Sequence, residues 1–168
     1  MNASVTPIGK RRRSTNIANQ EFTIAVSDCR FAAVENRDYV VLDDMLRLWR
    51  RNNIELSLTG ALLLCDGAFV HLLEGDSSDV ERMFSRVRAD PRHENVRLLE
   101  RRPLVRRRFA NWPLAYVGPS RWVSRALHGH DLAEISAENA DEAGYLIDLI
   151  LSFVGDDPGE ATALSLSA

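Results

Sequence analysis

NIELSLTGALLLCDGAFVHLLEG, residues 53–75, decides the fold. An apolar run from Leu58 to Leu64 meets the pair Asp66-Gly67, and a second apolar run follows to Glu74-Gly75. Asp-Gly between two such runs predicts a tight β-hairpin, because the turn needs positive φ and glycine adopts it without steric cost. His71 is the odd residue, an ionisable ring among aliphatic neighbours in AFVHLLEG. An imidazole in a central strand either serves a ligand or is hydrogen-bonded within the core.

Outward from the hairpin, FTIAVSDC (Phe22–Cys29) predicts a first strand. From Asp38 the pattern turns helical. Leu42, Met45, Leu46 and Trp49 form one apolar stripe, and Asn52-Asn53 is expected to close the helix. A second helix is predicted from Ser78, with Glu81 three residues on as a capping box and Val80, Met83, Phe84 and Val87 as its stripe, stopping before Pro91. Val96–Leu99 fits a strand. Arg101, Arg102 and Arg106 to Arg108 then punctuate a predicted turn region. Phe109–Val117 reads as a last strand on an edge, since Pro113 cannot donate to a ladder.

The order β-α-β-β-α-β-β predicts an α+β fold of ferredoxin-like plan: a mixed sheet with two helices on one face. The helical stretches Arg121–His128 and Ala140–Val154 are expected to cover the other face, or to meet a second copy of the chain. The domain is expected to span residues 21–118, with a helical extension over 119–155. The polar residues 1–20, basic from Lys10 to Arg13, and residues 156–168 are expected to be disordered tails.

The chain of 168 residues suffices for one domain with a real core. A net charge of −3 gives no general pull toward nucleic acid, and no apolar run approaches the ~20 residues of a membrane span. Cys29 and Cys65 lack metal-ligand spacing, so no metal site is expected, and reduced thiols in a cytoplasm are the default. The arginines from 101 to 108 read as a solvated face. Nucleic-acid binding would want stacking aromatics or a helix aimed at a groove beside them.

The ordered set Asn53, Leu58-Thr59-Gly60, Asp66-Gly67-x-Phe69, Leu73-Glu74-Gly75, Asp90-Pro91-Arg92-His93 and Arg108-Phe109-x-x-Trp112 resembles the BLUF domain, a blue-light sensor that uses FAD. The resemblance covers roughly Phe22 to Val117. It implies a flavin held between the helices predicted at 38–52 and 78–90. It also implies photochemistry run by a first-strand tyrosine and a third-strand glutamine. Carried over residue by residue, Asn53, with Asn52 beside it, matches an asparagine that binds the ring. Met45 and Phe69 would line the ring, while Arg92 and His93 match a basic pair near the ribityl and phosphate end. Trp112 matches a residue that relays the light signal, and Leu114 stands where methionine is usual.

Two positions depart from the pattern. His71 falls where the glutamine should be, and the tyrosine's position falls on Ala25 or Cys29. The tyrosines present are Tyr39, Tyr116 and Tyr145, and the sole glutamine, Gln20, is in the predicted tail. A neutral imidazole offers one donor and one acceptor, so it can bond a flavin carbonyl but cannot rotate as a carboxamide does. Asn53 also suits a helix C-cap. Two readings compete: a sensory BLUF protein with FAD and an altered or absent photocycle, signalling to a protein partner; and a flavin-free, light-independent interaction module on the same fold. With no output domain appended, a signal is expected to leave through the sheet or the C-terminal helices. Enzymatic activity is not expected, because His71, Asp66 and Glu74 form no readable nucleophile–base–orienter set.

Overall fold

A computed structural model describes residues 19–31, 39–132, 134–135 and 140–154. The elements run β1 (Gln20–Cys29), α1 (Tyr39–Glu55), β2 (Thr59–Cys65), β3 (Ala68–Asp76), α2 (Ser77–Ala89), β4 (His93–Pro103), β5 (Ala115–Val117), α3 (Arg121–Ala126) and α4 (Ala140–Val154). The strands form one sheet in the order β4-β1-β3-β2-β5. β1 pairs antiparallel with β3 and β4, β2 antiparallel with β3, and β5 parallel with β2. This is the ferredoxin-like mixed sheet expected, with short β5 at one edge. The two predicted tails lie outside the described residues, except for Asn19 and Gln20.

The hairpin turns on Asp66 and Gly67, whose φ values of 46° and 76° are those of a type I′ turn. Gly60 serves a different need: a Cβ there would stand 1.9 Å from the Leu72 carbonyl oxygen, so no other residue lets β2 approach β3 so closely. Buried Glu74 ties the end of β3 to the chain beyond β4. Its carboxylate accepts the Thr59 hydroxyl at 3.3 Å and the backbone N–H groups of Arg108 and Phe109 at 2.9 and 3.0 Å.

Alternation along the strands sends every second residue to each face. Ile24, Val26, Ala61, Leu63, Val70 and Leu72 face one side, where Leu146, Ile147 and Ile150 of α4 and Val123 of α3 close a single core. The C-terminal helices thus cover the sheet, as one of the two sequence readings held. The opposite face carries two smaller clusters. Leu62, Leu64 and Phe69 pack under Leu42 and Leu46 of α1, and Ala25 and Leu73 pack under Val80, Met83 and Phe84 of α2.

Several predicted boundaries move. Gln20 opens β1 instead of ending a tail, and its side-chain oxygen accepts from Arg107 at 2.8 Å. α1 runs past Asn53 to Glu55, and the left-handed exit falls on Ser57 (φ 55°), so Asn53 is not the cap. Asp76, not Ser78, caps α2, its carboxylate accepting from the Ser78 N–H at 3.1 Å. β4 is far longer than Val96–Leu99 because Arg101 and Arg102, read as a turn, continue the ladder with Thr23 and Phe22. The last strand shrinks to three residues, since the chain from Phe109 to Leu114 turns.

The basic stretch is largely exposed, as a solvated face is, and four of its arginines also make contacts with the fold. Arg101 pairs with Glu21 at 3.2 Å and Glu81 at 2.7 Å, and Arg102 pairs with Glu100 at 2.9 Å. Arg107 donates to the Ser57 carbonyl at 2.8 Å, and Arg108 lies 5.4 Å over the Phe22 ring.

Candidate functional site

The gap between the two smaller clusters opens as a cleft of about 250 Å³ between α1 and α2. Leu48, Leu62, Leu73, Met83, Val87 and Leu114 give it apolar walls. Trp49, Asn52, Asn53, His71, Arg86, Asp90, Arg92 and His93 supply its polar and aromatic groups. Apolar walls with a few convergent polar groups are the usual build of a small-molecule site, and the volume lies just below the roughly 300–1,000 Å³ usual for such sites.

Two residues that line the cleft, His71 and His93, form a triangle with fully buried Ser27, each side chain from a different strand. Ser27 Oγ of β1 lies 3.4 Å from His71 Nε2 of β3 and 3.1 Å from His93 Nδ1 of β4, and the two ring nitrogens are 3.3 Å apart. Phe69 packs against both rings, with centroids 5.7 Å from His71 and 4.9 Å from His93. Burial pushes the His71 imidazole well below its ordinary range; the charge of His93 adds to this and Asp90 opposes it. Burial likewise pushes His93 down to about 4, against the pull of Asp90 and with the help of Arg92. Both rings are therefore neutral at physiological pH.

Asp90 and Arg92 form an ion pair at the cleft wall. Burial alone would raise the Asp90 carboxyl, but hydrogen bonds from Arg92 and its charge hold it below the usual carboxylate range. The guanidinium also reaches Met45 Sδ at 3.4 Å and lies 5.4 Å over the Trp49 ring. Asn53 is 3% exposed, and its amide donates to the Pro113 carbonyl at 2.7 Å. Its second amide hydrogen and its carbonyl oxygen remain for the cleft.

The structure brings Asn52, Asn53, His71, Arg92, His93 and Leu114 to this cleft. Met45 and Phe69, expected to line it, instead stand behind Arg92 and beneath the histidines. Trp112 is half-buried against the core on the sheet's other side, with its carbonyl accepting the Gly60 N–H at 3.0 Å. Of the two positions considered for the missing tyrosine, Ala25 stands opposite His71 in the β1–β3 ladder, whereas Cys29 stands opposite His93. Ser27 was not singled out from sequence, and Asp90 was read only as part of a motif, with no role at the site. The i, i+2 alternation of Ala25, Ser27 and Cys29 marks Ser27's face, but nothing local reveals partners 44 and 66 residues away.

Fold and cleft together define a ferredoxin-like α+β domain with a cleft between the helices of one face. The family of sensors of blue light using FAD matches residues 24–115, more than half of the chain. The chain belongs to this BLUF family. It is similar to the photoactivated adenylate cyclase subunit beta of Euglena longa, 36% identical over 74 residues, 44% of this chain and 9% of that protein. The subunit of the same name from Euglena gracilis is 37% identical over 81 residues, 48% of this chain and 8% of the other. The chain thus matches under a tenth of the length of these relatives. Among solved structures, the dark state of the BLUF protein BlrB superposes with a TM-score of 0.64 at 25% identity, over 81% of this chain and 98% of that one. The ground state of BlsA, at 23% identity, gives the same TM-score over 79% and 88% of the two chains and shares the fold. Among the described residues no helix is long and apolar enough to cross a membrane.

Proposed function

We propose that this chain is a sensory protein that takes the ring system of FAD into the cleft between α1 and α2 and acts on a protein partner, with a photocycle unlike that of its family. The observation that carries this reading is the cleft itself: apolar walls together with the carboxamides of Asn52 and Asn53 and the imidazole of His71. Those residues fit a planar, polar-edged ring. Leu62, Leu73, Met83 and Val87 would sandwich it, Asn53 would offer both a donor and an acceptor, and His71 one of either. A flavin supplies visible absorption and one-electron chemistry when bound. Among the described residues that line the cleft there is neither tyrosine nor glutamine, which supports an altered response to light. Trp49 is the oxidisable ring among the described residues that line it.

Fluorescence titration with FAD tests this reading. Saturable quenching, weakened when Asn53 and His71 are replaced by alanine, is expected. Flavin fluorescence unchanged by folded protein would contradict it. The second reading, a flavin-free interaction module, is favoured by the triangle, where Ser27, His71 and His93 already satisfy much of one another's polarity. A partner recovered equally from lit, dark and flavin-starved cells would support it, and light-dependent recovery would count against it.

A further inference from the structure

The triangle of Ser27, His71 and His93 has a geometry that hydrogen bonding alone does not fill. A neutral imidazole nitrogen either donates or accepts, whereas a hydroxyl does both. A closed ring of three hydrogen bonds needs every member to do both, so protons hold at most two of the three edges at full strength, and the third must share a hydrogen. A metal ion has no such limit, because it takes a lone pair from each atom at once. The spacings also match: ligands about 2.0–2.1 Å from a tetrahedral ion lie about 3.3–3.4 Å from one another. The observed edges are 3.1, 3.3 and 3.4 Å.

We propose that Ser27, His71 and His93 form a binding site for a divalent transition ion that favours imidazole, of the Zn²⁺ or Cu²⁺ kind, with its fourth position facing the cleft. The donors sit on three paired strands, so the site is preformed. The two imidazoles stand edge to face with centroids 4.6 Å apart, which brings their ring nitrogens together. Asp90 faces the pair and offsets part of the ion's charge, while Arg92 opposes it. Among the described residues no group of three or more His, Cys, Asp or Glu is placed to hold a metal, and this set has a hydroxyl as its third donor. Binding is accordingly exchangeable rather than structural. The inference does not rest on flavin binding, and an ion here would compete with a flavin for His71.

The test uses the full flavin-free chain, with folding of each variant checked by circular dichroism. Equilibrium dialysis with Zn²⁺ near neutral pH should show one ion retained per chain. Retention should be lost in His71→Gln and in His93→Gln, fall about tenfold in Ser27→Ala, and stay unchanged in His130→Ala, whose ring stacks on Tyr145 away from the cleft. Co²⁺ added to the unaltered protein should give the intense visible bands of a tetrahedral site, which settles the matter even where a variant does not fold. No retained Zn²⁺, retention in either glutamine variant equal to that of the unaltered chain, or only the weak bands of octahedral Co²⁺ would each overturn the site.

Discussion

The two faces of the sheet are built from the same strands and used in opposite ways. On the α4 side the residues that alternate outward are aliphatic or aromatic almost without break, and they close one continuous core with the C-terminal helices. On the α1 and α2 side the apolar residues separate into two clusters, and the gap is lined by His71 and His93, which meet buried Ser27. A face that only had to hold the fold together would not place two imidazoles and a hydroxyl where aliphatic groups would pack. The contrast separates the stability of the domain from the chemistry of its site.

The largest effect should come from breaking the continuous face. Leu146 of α4 is fully buried, and Leu146→Ala is expected to lower unfolding free energy by about 2–5 kcal/mol in urea denaturation while leaving the cleft's ligand affinity per folded molecule unchanged. A parallel loss of affinity would mean that the two faces are not separable.

The next effect is a pH dependence that belongs to the cleft face. Folding holds His93 at about 4, below the ordinary 6.5. The unfolded chain therefore binds more protons between those values, and stability falls as the pH drops from 6.5 to 4. The loss at this residue is on the order of 3 kcal/mol, and His71, depressed in the same direction, adds to it. Stability measured against pH should flatten in His93→Gln; a slope the same as in the unaltered chain would show that the ring is not held neutral by the fold.

How much of this was legible in the sequence differs between the faces. The hairpin was readable from Asp66-Gly67, and the stripes of α1 and α2 from their apolar spacing, because turns and amphipathic helices are written locally. The long β4 was not, because its alternating Glu and Arg residues resemble a solvated turn, and it meets β1 through register shifts beside Ala25 and Val26. Motif order reached His71, Asn53, Arg92 and His93. It placed His93 with Arg92, whereas the fold sets its ring against His71. Ser27 was missed because a serine in a strand carries no signal of its own; only strand pairing shows that it joins both histidines.

The smallest of the three effects concerns the joint between the cleft and the edge strand. Asn53→Ala removes the bond to the Pro113 carbonyl and is expected to cost about 1 kcal/mol in thermal or urea unfolding. It should reduce FAD binding by more than that loss of folded protein explains. Unchanged affinity would assign Asn53 to the scaffold alone.

The most direct test of the account is a visible absorption spectrum of the purified protein after incubation with FAD and removal of free cofactor on a desalting column. Retained absorbance of oxidised flavin, in near-equal proportion to protein and lost on replacing His71 and Asn53 together by alanine, is the result predicted. A colourless, folded protein after the same treatment would contradict the assignment of the cleft to a flavin.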